Sequence, residues 1–220
     1  MSFSAAWEDA FRQGGHDSRW PWSDLVSMTK RHARTLDETS RVLEIGCGAG
    51  ANIPFLLTTG AQYFAVEGSA AAAAKARDRF ATLGAQIHTG DFIDDMPFSG
   101  EFDVIVDRAA MTHNDEASIR RGLAKLAAKL KPSGLYIGID WFSTKHDGFR
   151  TGEATSDERT REHFTSGPFA GVGRVHFSDE AHLRDLFAGY EFLALEEKVT
   201  EVALPTRGVL ASWNFVARKP

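Results

Sequence analysis

From residue 41 onward, short apolar runs recur along the chain, each closed by glycines, acids or turn residues. Arg41-Val42-Leu43-Glu44-Ile45 is the first, and it ends in a turn carrying Gly46, Gly48 and Gly50. Residues 51–57 then read as a helix start. Residues 63–67, 85–89, 102–107 and 135–140 repeat the strand-like pattern. Between them, helical spacing covers 69–83, with Ser69 placed to cap it, and 117–130, which stops at Lys131-Pro132-Ser133-Gly134. Strands alternating with helices predict a parallel sheet covered on both faces. A helix over 178–187, with Ser178 as its cap, and strands over 190–198 and 209–217 complete the pattern.

Two segments break it. Residues 142–177 are rich in Gly, Thr, Ser and charge and show little periodicity. A connection this long is either a lid-like insertion in the domain or a solvated loop. Residues 1–40 precede the sheet and carry Trp20-Pro21-Trp22 ahead of a helical stretch to Ala33. Those rings either cover the sheet or belong to an N-terminal helical flap, with Trp22 over the cleft. Residues 41–220 read as one domain.

The glycine turn suits a nucleotide, because glycines let a ligand lie against bare backbone. By itself it fits both a dinucleotide (Gly46, Gly48, Ala51) and S-adenosylmethionine (Glu44, Gly46, Gly48, Gly50). Glu67, at the end of the second strand, is placed to accept from two ribose hydroxyls in either case. Glu44 separates them: a carboxylate there attracts a sulfonium and an ammonium and repels a pyrophosphate. Gly90-Asp91-Phe92 follows the third strand, where an acid and a ring can reach an adenine. No Tyr-x-x-x-Lys pair of a short-chain reductase is present, and no second nucleotide-binding half follows.

At these residues the chain resembles the class I S-adenosylmethionine-dependent methyltransferases, in the small bacterial type that acts on small molecules. The matching stretches are 42–50, Val66-Glu67-Gly68-Ser69, Thr89-Gly90-Asp91-Phe92, 102–107 and 130–135, in family order. Glu67 where aspartate is commoner, and Ser133 where glycine is usual, are departures. The resemblance implies a doubly wound, Rossmann-like α/β fold: a seven-stranded, mostly parallel sheet with an antiparallel last strand and helices on both faces. It further implies that Gly46, Cys47, Gly48, Gly50 and Asn52 meet the amino-acid part of the cofactor. Glu67, Gly68 and Ser69 would hold the ribose, Gly90, Asp91 and Phe92 the adenine, and Asp107 and Arg108 would line the cleft beside the methyl. Cys47 reads as a small filler.

Methyl transfer needs a base only where the acceptor must lose a proton. His113 is the best-placed candidate, against the alternatives of capping the next helix or touching the cofactor. Asp140 and Trp141 come next, as an orienting acid and a covering ring. Arg150 and His176, with the other cations of the insertion, would suit an acceptor bearing carboxylate or phosphate, unless the segment is a solvated loop.

Composition narrows the partners. The 220 residues, 43% hydrophobic, suffice for one well-buried domain. A net charge of −5 disfavours nucleic acid, as does Asp107-Arg108-Ala109-Ala110 where adenine methylases carry Asn/Asp-Pro-Pro-Tyr/Phe. One cysteine excludes a disulfide framework and a thiolate cluster, and no acidic group after the fifth strand suggests a metal. No apolar run is long enough to span a membrane, and residues 1–9 lack the blocks of a signal peptide. The expectation is a cytoplasmic methyltransferase, monomer or homodimer, that methylates an oxygen or nitrogen of a small molecule such as a sugar or secondary metabolite. The alternatives are an NAD-dependent oxidoreductase and a non-catalytic S-adenosylmethionine-binding module.

Overall fold

The protein is described by a computed structural model covering residues 4–14 and 16–220; Met1–Phe3 and Gly15, within the expected flap, lie outside the described residues. Helices α1 (Ala5–Arg12) and α2 (Ser23–His32) precede β1 (Arg41–Ile45). There follow α3 (Ile53–Leu57), β2 (Gln62–Glu67), α4 (Ala70–Phe80), β3 (Gln86–Thr89), β4 (Phe102–Arg108), α5 (Glu116–Lys129) and β5 (Leu130–Phe142). The last third holds α6 (Gly148–Thr151), β6 (Glu153–Ala154), β7 (Thr160–Glu162), β8 (Val175–His176), α7 (Glu180–Leu186), β9 (Glu191–Val202) and β10 (Gly208–Arg218).

The main sheet runs β3-β2-β1-β4-β5-β10-β9, with β10 inserted antiparallel between β5 and β9. Both faces are buried, which explains why its strands read as apolar runs rather than alternations. Leu43, Ile45, Phe64 and Val66 pack on one face with Ile119, Leu123 and Leu126 of α5. Val42, Tyr63, Ala65, Val104 and Val106 pack on the other with Leu25 and Met28 of α2 and Ala76 of α4. Period-two alternation along each strand sends neighbours to opposite faces.

Local signals place the helix starts. The Ser69 hydroxyl accepts from Ala72 N at 3.1 Å, as its position predicts, and Asp115 accepts from Ser118 N at 2.8 Å at the start of α5. At α7 the expected cap moves by one residue: Asp179, not Ser178, accepts from His182 N at 2.8 Å. The turn expected at 131–134 lies within the longer β5, and Ser133 adopts φ 61° there, the conformation that favours the glycine usual at that point.

Residues 142–177 are folded. Strands β6, β7 and β8 form a three-stranded antiparallel sheet beside α6, over a cluster of Phe164, Phe169, Val172, Val175 and Phe177. The phenylalanines are spaced irregularly in sequence, so the segment shows no period although it holds its own apolar core.

Candidate functional site

The carboxyl ends of β1, β2 and β4 open into a cavity of about 650 Å³, roofed by α1 and the segment leading to α2. The turn after β1 forms its floor. Gly46 has φ 64°, and a Cβ there would lie 2.4 Å from the Ala110 Cβ, so its bareness lets this turn pack against the one after β4. Gly50 is bare against the Phe80 ring instead and does not line the cavity.

Glu67 is buried, and its two oxygens accept from Gly48 N at 2.7 Å and Ser69 N at 2.8 Å. Each oxygen keeps acceptor capacity beyond that donor. Burial pushes the carboxyl up to about 7, against the pull of those two N–H groups. Glu44 is also buried; it accepts from Asn52 Nδ2 at 2.8 Å and Tyr63 OH at 2.5 Å, and burial raises its pKa. Asn52 Oδ1 accepts from Trp22 N at 3.2 Å, which links the N-terminal segment to the cavity floor. Arg108 stacks over the Trp22 ring, 3.5 Å from its centroid, and pairs with Asp140 at 3.0 Å.

Of the residues expected from sequence, Glu44, Gly46, Cys47, Gly48, Asn52, Glu67, Gly68, Asp91, Phe92, Arg108, His113 and Trp22 all line this cavity. Gly90 and Ser69 flank it, and Ser69 contributes its N–H to Glu67. Five further expected site residues do not face the cavity. Asp107 is fully buried beneath the cleft: it accepts from Ala110 N, Met111 N, Tyr136 OH and Trp141 Nε1 and so shapes the turn after β4 rather than facing a ligand. Trp141 is fully buried on the same side, its ring packed on Phe187 and Phe215, and covers no acceptor. Asp140 points away from Trp141 by strand alternation; it holds Arg108 and does not line the cavity. Arg150 is an exposed partner of Asp147, and His176 is buried between β7 and α7; neither reaches the cleft.

The sequence reading missed α1. Trp7 and Phe11, one helical turn apart, line the cavity with His16, Asp17 and Ser18. Their i, i+4 spacing is the available signal. Three polar contacts pin the segment: Ser69 Oγ donates to Glu8 at 2.6 Å, Lys75 Nζ to the Phe11 carbonyl at 2.8 Å, and Arg79 to Asp17 at 2.8 Å.

Cys47 is buried, and burial, reinforced by Glu67 and Glu44, raises its thiol pKa well above the usual range. A thiol held protonated is a poor nucleophile. At pH 8 the native protein is expected to react with an aromatic disulfide reagent far more slowly than the unfolded chain, which should release one equivalent. Fast native titration would contradict the filler reading.

The donor set fits S-adenosylmethionine. Glu67 offers paired acceptor oxygens to a vicinal diol, Glu44 puts a buried acid beneath a cationic ligand, and Phe92 offers a ring face to adenine.

A family model described as a methyltransferase domain matches residues 42–134. A protein-L-isoaspartate O-methyltransferase of Methylorubrum populi is 38% identical over 104 residues, 46% of this chain and 49% of that protein. The chain thus spans about half the length of the curated relatives first matched. An S-adenosylmethionine-dependent methyltransferase structure from Methanosarcina mazei superposes with a TM-score of 0.66 at 19% identity, covering 84% of this chain and 93% of its own. An amino pentose methyltransferase of Micromonospora echinaspora, with S-adenosylmethionine bound, does so with a TM-score of 0.58 at 22% identity over 100% of this chain and 98% of its own. Among the described residues no helix is long and apolar enough to cross a membrane. The glycine turn, the Glu67 cradle and β1 to β4 lie almost wholly inside the stretch that matches the methyltransferase-domain model, and the sheet as a whole has the fold of these S-adenosylmethionine-dependent enzymes.

Proposed function

We propose that the chain methylates an oxygen or nitrogen of a small-molecule acceptor, such as a sugar or secondary metabolite. The observation that carries this is the state of His113. Its Nδ1–H donates to the Arg174 carbonyl at 3.2 Å, which leaves the lone pair on Nε2, and its ring lines the cavity beside Trp7 at 4.7 Å. Burial pulls its pKa down to about 4, so the imidazole is neutral at ordinary pH and its Nε2 lone pair is open to an O–H or N–H that becomes acidic as the methyl transfers.

When bound, S-adenosylmethionine supplies an electrophilic methyl on a sulfonium. The chain's own residues do the rest by positioning and by excluding water. Glu67 accepts from the ribose hydroxyls, Asp91 and Phe92 hold the adenine, and the turn from Gly46 to Gly48 backs the amino-acid part. Arg108, neutralised by Asp140, bounds the acceptor side with Trp22 and His113, and His113 Nε2 takes the acceptor's proton. The N-terminal segment acts as the flap over this space, and its Trp7, Phe11 and Trp22 rings narrow a half-open cavity of about 650 Å³, which suits a small acceptor better than a folded macromolecule. The amino pentose enzyme, which aligns along the whole chain, supports the sugar class. The isoaspartate enzymes support a carboxylate acceptor, so an isoaspartyl peptide belongs in the test.

Calorimetry with S-adenosylmethionine, S-adenosylhomocysteine and NADH comes first, then transfer of labelled methyl to aminosugars, phenols and an isoaspartyl peptide. The sulfur nucleotides are expected to bind and NADH not to. His113→Gln is expected to lower kcat by about 100-fold or more while leaving S-adenosylhomocysteine affinity nearly unchanged. Trp22→Ala, which removes a ring lining the cavity and the face on which Arg108 stacks, should weaken that affinity by about tenfold. NADH binding alone would restore the dehydrogenase reading, and cofactor binding with no transfer to any acceptor would favour a binding module.

A further inference from the structure

Away from the cleft, two histidines face each other with their Nε2 atoms unpartnered. His176, on β8, is fully buried and His182, on α7, nearly so; their ring centroids are 5.1 Å apart. Neither Nε2 has a hydrogen-bond partner. The tautomer of His176 is fixed by its surroundings. Thr160 Oγ1 donates to Asp157 Oδ2 at 2.6 Å and therefore accepts from His176 Nδ1–H at 2.9 Å, so Nε2 carries a lone pair. His182 Nδ1 is engaged by Ser178 Oγ at 3.1 Å. Glu116, the first residue of α5, places Oε2 3.5 Å from His182 Nε2, and its other oxygen is held by Arg120 at 2.6 Å. The three donor atoms lie within 4.8 Å of one another.

The buried His176 Nε2 lone pair lacks a donor, and with Ser178 Oγ accepting from His182 Nδ1–H a cation satisfies both Nε2 atoms at once. We propose that Glu116, His176 and His182 form a binding site for a divalent cation of the zinc type, with a water completing a four-coordinate shell. Two imidazoles and a carboxylate are borderline ligands that suit Zn²⁺, and ligating histidines ordinarily donate their second N–H to a hydroxyl or carboxylate, as His176 does here. Glu116, Asp157 and Thr160 also border a surface depression, which gives an ion access. The site is invisible in the sequence, because its ligands come from three separate elements and no ligand-spacing motif joins them. It is also distinct from the methyltransferase site, and its test assumes nothing about the cofactor.

The cation would pin the folded insertion to the body of the domain. His176 sits two residues beyond Arg174, whose carbonyl orients His113 and whose guanidinium pairs with Asp115 at 2.6 Å. Holding β8 against α5 and α7 therefore also holds the carbonyl that sets the His113 tautomer.

The experiment uses the full chain, stripped by a chelator and titrated with Zn²⁺ and Co²⁺. One high-affinity equivalent of Zn²⁺ is expected, with the visible bands of four-coordinate Co²⁺ and a rise in unfolding midpoint of about 5–10 °C at a hundredfold excess over Kd. Thr160→Val should weaken Zn²⁺ binding by about 10–100-fold, and Glu116→Gln by more. Should a variant fail to fold, the Co²⁺ spectrum and midpoint shift of the parent still decide. Equal Zn²⁺ affinity in parent and Glu116→Gln, or no midpoint shift and no four-coordinate Co²⁺ bands in the parent, would overturn the proposal. A preference for Fe²⁺ or Mn²⁺ offers no escape, because such a ligand set binds Zn²⁺ more tightly than either.

Discussion

Replacing Glu67 with alanine is expected to weaken S-adenosylhomocysteine binding by about 100-fold or more. On the proposed reading the buried carboxylate accepts from both ribose hydroxyls, and each hydrogen bond to a charged group contributes about 1.5–3 kcal/mol. Two of them exceed the roughly 2.8 kcal/mol that a hundredfold requires. The same side chain receives the N–H groups of Gly48 and Ser69, so its loss also frees the glycine turn to move. The pH dependence gives a second, sharper signature. Burial raises the carboxyl to about 7, and only its ionised form accepts from both hydroxyls. Protonation therefore competes with the ligand. In the parent, affinity should be flat above about pH 7 and fall by up to tenfold per unit below it; in Glu67→Ala that contribution should vanish. Calorimetry from pH 5.5 to 8.5 checks both. A parent Kd independent of pH, or a variant that binds within a few-fold of the parent, would show that the ribose is held elsewhere.

What the sequence discloses follows from how local each signal is. The glycine turn, Glu44, Glu67 and Asp91 lie at strand ends, and a strand end in a parallel α/β sheet is where ligands bind, so position along the chain already places them. Facing is harder to read. Asp107 and Arg108 are adjacent, as are Asp140 and Trp141, and strand alternation guarantees that only one of each pair can face the cleft. Both faces of this sheet are apolar, so nothing in the local pattern says which. In the structure Arg108 faces the cleft and Asp140 reaches it only through Arg108, while Asp107 and Trp141 bond to each other beneath. The N-terminal contribution was legible only in part: Trp22 stood out, whereas Trp7 and Phe11 are two apolar residues on a short helix whose role depends on contacts more than fifty residues away. The insertion hid its order for a related reason. Its core is built from phenylalanines that meet across turns, and its His176 reaches partners on α5 and α7.

Asp107, misplaced by the sequence reading, carries the largest expected effect on stability. Oδ1 accepts from Ala110 N at 2.8 Å and Met111 N at 3.2 Å, and Oδ2 accepts from Tyr136 OH at 3.0 Å and Trp141 Nε1 at 2.7 Å. All four donors are fully or largely buried. Asp107→Asn turns one acceptor oxygen into an amide NH₂ that faces two donors, whichever way it is oriented. Each buried donor left unsatisfied costs about 1–3 kcal/mol, so a loss of about 3 kcal/mol or more is expected in denaturant unfolding, and more for Asp107→Ala, which orphans all four. Burial raises this carboxyl from the ordinary 3.8 to about 6. A raised folded value means that the native state binds the proton more tightly than the unfolded chain, so the contribution of Asp107 to stability grows as pH falls from about 6 toward 3.8. The gap between parent and Asp107→Asn should therefore widen across that window, opposite to what a salt-bridged aspartate would give. A gap that narrows on acidification would mean that the four donors, rather than burial, govern this carboxylate. Because the Ala110 and Met111 amides it anchors carry the turn that packs on Gly46, cofactor affinity is expected to fall together with stability in this variant, whereas in Glu67→Ala affinity falls through a lost ligand contact.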